Sequence, residues 1–135
     1  MATLKLEIVT PEAKVYSEDV DMVTLPGVEG EMGIFPMHIP LMTQLAAGEV
    51  IARKGGQDFF LAVGDGFVEV TGDRVSILTD MAIKAESIDE AKAEEARKRA
   101  EARLSEKIDE EETAKVQASL ANAVAQLRVK RRHRG

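Results

Sequence analysis

Residues 25–40 hold three glycines (Gly27, Gly30 and Gly33) and three prolines (Pro26, Pro36 and Pro40) within sixteen positions. Glycine reaches backbone conformations that other residues avoid, and proline fixes φ and removes a hydrogen-bond donor. Regular helix is excluded from such a stretch. It is nevertheless apolar, through Val28, Met32, Ile34, Phe35, Met37 and Ile39. The pattern predicts that an extended segment over residues 20–25 turns sharply, exposes a loop around Glu29, Gly30 and Glu31, and re-enters a core at Ile34 and Phe35. On these residues alone it is an elaborate corner of a β-sandwich.

The segments around the corner have the periodicity of strands. Leu4, Leu6 and Ile8 alternate with polar residues. Thr10-Pro11-Glu12 is a turn before a short extended piece at Val15-Tyr16. Lys54-Gly55-Gly56-Gln57 is a hairpin turn, and Gly64-Asp65-Gly66 and Thr71-Gly72-Asp73 punctuate the runs that follow. Short strands recurring every ~8–12 residues predict an antiparallel sandwich or flattened barrel of about ten strands. With four phenylalanines and one tyrosine in the chain, its core falls to Val, Ile, Leu and Met.

The character changes after Gly72, because neither glycine nor proline recurs before Gly135. Ser87 with Glu90 fits a capping box, and Asp109 with Glu112 repeats the pattern. Ala93, Ala96, Ala100, Leu104 and Ile108 recur at helical spacing, as do Val116, Leu120, Val124 and Leu127. The fold class expected is therefore α+β in two domains, a sandwich over residues 1–86 and an antiparallel two-helix hairpin over 87–135, turning near residues 105–109. The alanine seam removes little apolar area from water. The turn lacks a breaker, so the hairpin could stay docked or open into one long helix; the residues favour neither.

Charge divides along the same line. Residues 1–87 carry six bases against fourteen acids, a net −8, and the remainder twelve against ten, a net +2. Five of those bases, Arg128, Lys130, Arg131, Arg132 and Arg134, stand in the last eight residues. A basic tail suits nucleic acid, but the acidic body opposes it, and no nucleic-acid partner is expected. No apolar run approaches the ~18–20 residues of a membrane span, and the first residues do not read as a secretory signal. The absence of cysteine excludes disulfides and thiolate metal sites, and fits a reducing compartment.

Catalytic chemistry finds no constellation. The three corner glycines lack the strand–turn–helix setting of a dinucleotide fingerprint, since Pro36 and Pro40 follow at once. His38 and His133 are far apart and have no third ligand at metal spacing, so no metal site is expected. Asp65 reads as a turn residue and the acids of residues 110–112 as helix-dipole partners. Function is expected to lie in surfaces, with Met32, Phe35 and Met37 as exposed apolar contacts of the loop.

The corner's wording, Leu25-Pro26-Gly27, Gly30, Gly33-Ile34, Pro36, His38 and Pro40-Leu41, is specific. It is followed by Gly48-Glu49-Val50, Gly66-Phe67-Val68-Glu69-Val70, Val75-Ser76-Ile77-Leu78-Thr79-Asp80 and Ile88-Asp89. Together, in this order and over nearly the whole chain, these resemble the epsilon subunit of bacterial rotary ATP synthases, called delta in mitochondria.

The resemblance implies a non-catalytic rotor subunit of the central stalk in a proton-translocating ATP synthase. The sandwich would dock on the gamma subunit and its loop on the ring of c subunits, with Glu31, Met32, Phe35, Met37 and His38 at the interface. The helices could extend into the catalytic head of alpha and beta subunits and impede ATP hydrolysis, through Arg128, Lys130, Arg131, Arg132 and Arg134. The implied location is the cytoplasmic side of a bacterial inner membrane, peripheral and held through the complex. Some family members bind ATP where an Ile/Leu-Asp-x-x-Arg-Ala motif starts the first helix. Here Ile88-Asp89-Glu90-Ala91-Lys92-Ala93 puts lysine for the arginine fork, and Asn122, Ala123 and Gln126 occupy the region where arginines are expected on the second helix. No cofactor is expected beyond a weakly bound ATP at Asp89 and Lys92. The alternative on residues alone is a stand-alone sandwich that binds protein, with a basic helical tail.

Overall fold

In the computed structural model, which describes residues 2–133, ten strands precede two helices. The strands are β1 (Leu4–Val9), β2 (Lys14–Val20), β3 (Met22–Gly27), β4 (Gly30–Ile34), β5 (Leu41–Leu45), β6 (Gly48–Lys54), β7 (Gln57–Val63), β8 (Gly66–Thr71), β9 (Arg74–Thr79) and β10 (Ala82–Lys84). They run in space as β10-β7-β6-β3-β5-β8-β9-β1-β2, with β4 on the opposite edge of β3 from β6. Pairing is antiparallel except where β1 lies parallel to β9. Lys54 Nζ meets the Glu18 carboxylate at 2.6 Å, and the Asp21 amide donates to the Arg53 carbonyl at 2.7 Å. These bonds bring β2 against β6 and nearly close the sheet on itself.

Alternation fixes the inside. Leu4, Leu6, Ile8, Val23, Leu25, Ile34, Val50, Leu61, Val68, Val70, Val75 and Ile77 form one aliphatic core. Each such side chain contributes roughly 1.5–3 kcal/mol on burial. Tyr16 is the aromatic residue among the buried members, and all four phenylalanines lie outside that cluster. Phe35 in particular is exposed, contrary to the expected re-entry; Ile34 alone turns inward. The extended run expected over residues 20–25 is broken at Asp21, and β10 is a strand that periodicity did not indicate.

A 3-10 turn, Ala85–Ser87, leads into α1 (Glu90–Leu104) and α2 (Glu110–Arg132). The cap of α1 is Asp89, whose carboxylate accepts from the Lys92 amide at 3.1 Å, and not Ser87. Asp109 caps α2 by accepting from the Glu112 amide at 2.8 Å. The helices run antiparallel, and α2 rests on β6, β7 and the 3-10 turn while α1 packs on α2. Being covered on two sides, α2 buries Ala123, Ala125, Leu127 and Val129 rather than the single expected stripe. Val116, Leu120 and Val124 stay half-buried. Ala125 and Val129 join Ala62 and Ile88 in a small cluster separate from the main core.

Candidate functional site

The corner is a β3–β4 hairpin. Gly27 pairs with Gly30, whose φ of +129° only glycine holds comfortably, and a Cβ on Gly27 would stand 2.9 Å from the Gly30 carbonyl oxygen. Along β4 the side chains alternate, so Met32 follows Ile34 inward and packs against the core. Of the five loop residues named from sequence, Met32 is thus half-buried rather than fully exposed. Beyond β4 the chain leaves the sheet, and Phe35, Met37 and Ile39 are 57%, 80% and 76% exposed. Met37 adopts φ +67°, the left-handed region that costs a non-glycine residue roughly 1–2 kcal/mol. Half-buried between them, His38 donates from Nδ1 to the Ile39 carbonyl at 2.6 Å. Glu31 lies elsewhere: with Pro26, Gly48, Ala125 and Arg128 it lines a cleft between the β3–β4 hairpin and α2. Phe35, Met37 and His38 are together, and Glu31 is apart from them.

A second surface went unread in the sequence. The register places Val9, Leu78, Phe67 and Gln44 side by side across β1, β9, β8 and β5. Glu7, Ser76, Glu69 and Met42 form the next row. Leu78, Phe67 and Met42 are 60%, 54% and 69% exposed on this outer face. The available signal was phase: Phe67 and Leu78 occupy outward positions beside buried Val68 and Ile77, where a solvated strand carries polar residues. At the border, Glu7 is held below the usual carboxylate range by its bond from Lys14 at 3.0 Å, and it also pairs with Arg74.

The basic end of α2 is mostly engaged. Arg131 donates to Glu90 at 2.8 Å and to Glu94 at 3.0 Å, bonds that raise its own pKa, Glu90 first. Arg132 donates to Glu49 Oε1 at 2.9 Å, and His133 meets Glu49 Oε2 at 2.5 Å while stacking on Phe60 with ring centroids 3.5 Å apart. Lys130 reaches the Ala85 carbonyl at 3.3 Å. Arg128 is exposed on the rim of the cleft that holds Glu31. Arg134 lies outside the described residues. Asp89 is committed to its cap, and the Lys92 side chain is exposed one turn away. Among the described residues, no group of three His, Cys, Asp or Glu side chains is placed to hold a metal ion, and no helix is long and apolar enough to cross a membrane.

Comparison with known proteins matches residues 3–85 to the beta-sandwich domain of the ATP synthase delta/epsilon chain, and residues 86–131 to the long alpha-helix domain of the same chain. An ATP synthase epsilon chain of Dehalococcoides mccartyi is 50% identical over 99% of this chain and 96% of its own length. Another from Syntrophobacter fumaroxidans is 48% identical, covering 93% and 94%. Among solved structures, a chain of the Euglena gracilis mitochondrial ATP synthase, described as OSCP/F1/c-ring in rotational state 1, superposes with a TM-score of 0.75. It is 27% identical, over 93% of this chain and 79% of that one.

Proposed function

Because this chain belongs to the ATP synthase delta/epsilon chain family, as a non-catalytic subunit of the epsilon type, we propose that it couples the rotor's membrane ring to its central shaft. Two working parts divide near residue 86. The sandwich, residues 1–86, docks its outer apolar face on the gamma subunit and its corner loop on the c-ring. Phe35, Met37 and His38 meet the ring, and Glu31 lies at the side of that contact, under α2. The hairpin, residues 87–135, is the regulatory part: extended into the catalytic head, it offers Arg128, Lys130, Arg131, Arg132 and Arg134 to acidic segments of the beta and alpha subunits and slows ATP hydrolysis. The subunit is peripheral, on the cytoplasmic side of a bacterial inner membrane. ATP binds weakly at most, since Asp89 serves as a cap and Lys92 offers a point charge.

The observation that carries the docking reading is the outer face of β5, β8 and β9. Leu78 and Phe67 are cross-strand neighbours more than half exposed, with Met42 on the adjoining row, on a body of net charge −8. An apolar patch of this kind is costly in isolation and marks a partner surface. Replacing Phe67→Asp and Leu78→Asp alters no buried side chain. We expect the doubly substituted subunit to fold, to lose co-purification with the gamma subunit at least tenfold, and to leave proton flow uncoupled from ATP synthesis. A folded double variant that assembles normally would take the gamma contact away from this face and place it elsewhere on the sandwich.

A further inference from the structure

We propose that Glu49 is the catch that holds the helical hairpin down on the sandwich, and that its release is what frees the basic helix end. This rests on the reading that the hairpin regulates by leaving the sandwich.

The apolar joint beneath α2 is modest. It is built on Ala125 and Val129 against Ala62, with Phe60, Met81 and Ile83 alongside. Among the described residues, two side chains of the sandwich bond to side chains of the hairpin. Asp80 receives the Asn122 amide at 3.3 Å, a long bond between exposed groups. Glu49 receives Arg132 at 2.9 Å and His133 at 2.5 Å, with its own side chain only 12% exposed. Charge-assisted bonds are the stronger ones, and although the Arg132 side chain is 63% exposed, Glu49 and His133 are sheltered, so the two ties are unequal.

Glu49 is also rigidly mounted. It is the second residue of β6, and a Cβ on the preceding Gly48 would sit 2.9 Å from the Pro26 Cβ, so the strand start is pressed against β3. Stacking of His133 on Phe60 sets the imidazole where the carboxylate can reach it. Undoing the catch therefore does not reshape the sandwich; it removes the last turn of α2 from it.

The same bonds mask the helix's own cations. Arg132 is occupied by Glu49, Arg131 by Glu90 and Glu94, and Lys130 by the Ala85 carbonyl. In the docked state the chain's carboxylates stand where an acidic partner would. Such a partner displaces Glu49 before it gains Arg132, which makes this one residue the threshold for extension.

The chain has no cysteine, so a spin-label pair placed at exposed Asp73→Cys and Gln117→Cys reads the distance between sandwich and hairpin without background. One narrow distance is expected for the parent chain. Glu49→Gln should raise the open population about tenfold, as loss of one charge-assisted bond implies. Arg132→Ala with His133→Ala, at the chain's end and away from the main core, should reproduce it. Asp58→Asn, which removes an exposed pair with Arg53 on the neighbouring strands, should not. Unchanged distances in both the Glu49 and the Arg132/His133 variants would overturn the catch, as would equal opening by Asp58→Asn. In the assembled enzyme the Glu49 variant should hydrolyse ATP several-fold more slowly. Opening by the labels with unchanged hydrolysis would keep the catch and reject the inhibitory reading of the hairpin.

Discussion

Met37 concentrates the residue-scale argument. A methionine at φ +67° and 80% exposed gains nothing from the core and carries a backbone cost that glycine would not. Strain held in an exposed loop is explained by what the loop touches. Met37→Gly should therefore have two effects of opposite sign. The isolated subunit should keep its thermal midpoint or gain a few degrees, since up to about 1 kcal/mol of strain is offset by the added chain entropy of glycine. Assembly with the c-ring, followed by titrating subunit into depleted enzyme, should weaken several-fold as the thioether contact is lost. Weaker folding with unaltered assembly would reverse the assignment. The apolar residues of a loop whose glycines and prolines exclude regular structure marked Met37 and Phe35 as exposed contacts, although the same pattern also expected Phe35 to re-enter the core, and His38 came in only through the family resemblance. The pattern expected Met32 to be exposed where the structure half-buries it, because its direction depends on β4 beginning at Gly30, and a shift of one residue in a strand turns every side chain over.

At the scale of elements, the strands were legible wherever alternation ran cleanly, as in β1, β8 and β9, and the helices wherever breakers were absent. Less legible were β10, three residues long, and the cap of α1, where Asp89 outcompetes Ser87 two positions earlier. The catch was illegible for a different reason: Glu49 and His133 are separated by 84 positions, and no local pattern announces a pairing of that length. The clasp between the helices also joins distant residues, and it has a pH signature. Glu94 is held below its ordinary value of 4.5, first by the bond from Arg97 and then by that from Arg131. A carboxylate depressed in the folded state contributes stability that is complete above the unfolded value and lost as pH falls through the folded one. Hydrogen-exchange protection in α1, taken relative to the intrinsic exchange rate at each pH, should thus fall on acidification below about pH 4.5, with little change between pH 6 and 8. In Glu94→Gln the same helix should be looser at neutral pH and less sensitive to acid. An acid response undiminished by that substitution would assign the effect to other carboxylates.

The whole molecule joins two parts with unlike foundations. The sandwich holds a continuous aliphatic core of its own, and the helices meet it through a separate small cluster centred on Ala62 and Ala125. Their charges are also unequal, −8 against +2, so the acidic body attracts the basic helix end over a range that salt shortens. Such a joint can open without melting either side, because none of the main core's buried side chains comes from α1 or α2. Ending the chain after Ser87 tests this directly. The shortened subunit should remain folded, with a cooperative thermal transition and the outer face of β8 and β9 intact, although Ala62 and Phe60 become exposed. It should still assemble on the gamma subunit, since the face assigned to that contact lies wholly within residues 1–86. ATP hydrolysis by the reconstituted enzyme should rise several-fold relative to enzyme carrying the full chain, because no basic helix remains to enter the catalytic head. If the shortened subunit assembles and hydrolysis is unchanged, the helices serve docking or stability and not restraint. If it cannot fold, the hairpin is part of the sandwich's foundation and the separation of the two clusters has been given too much weight.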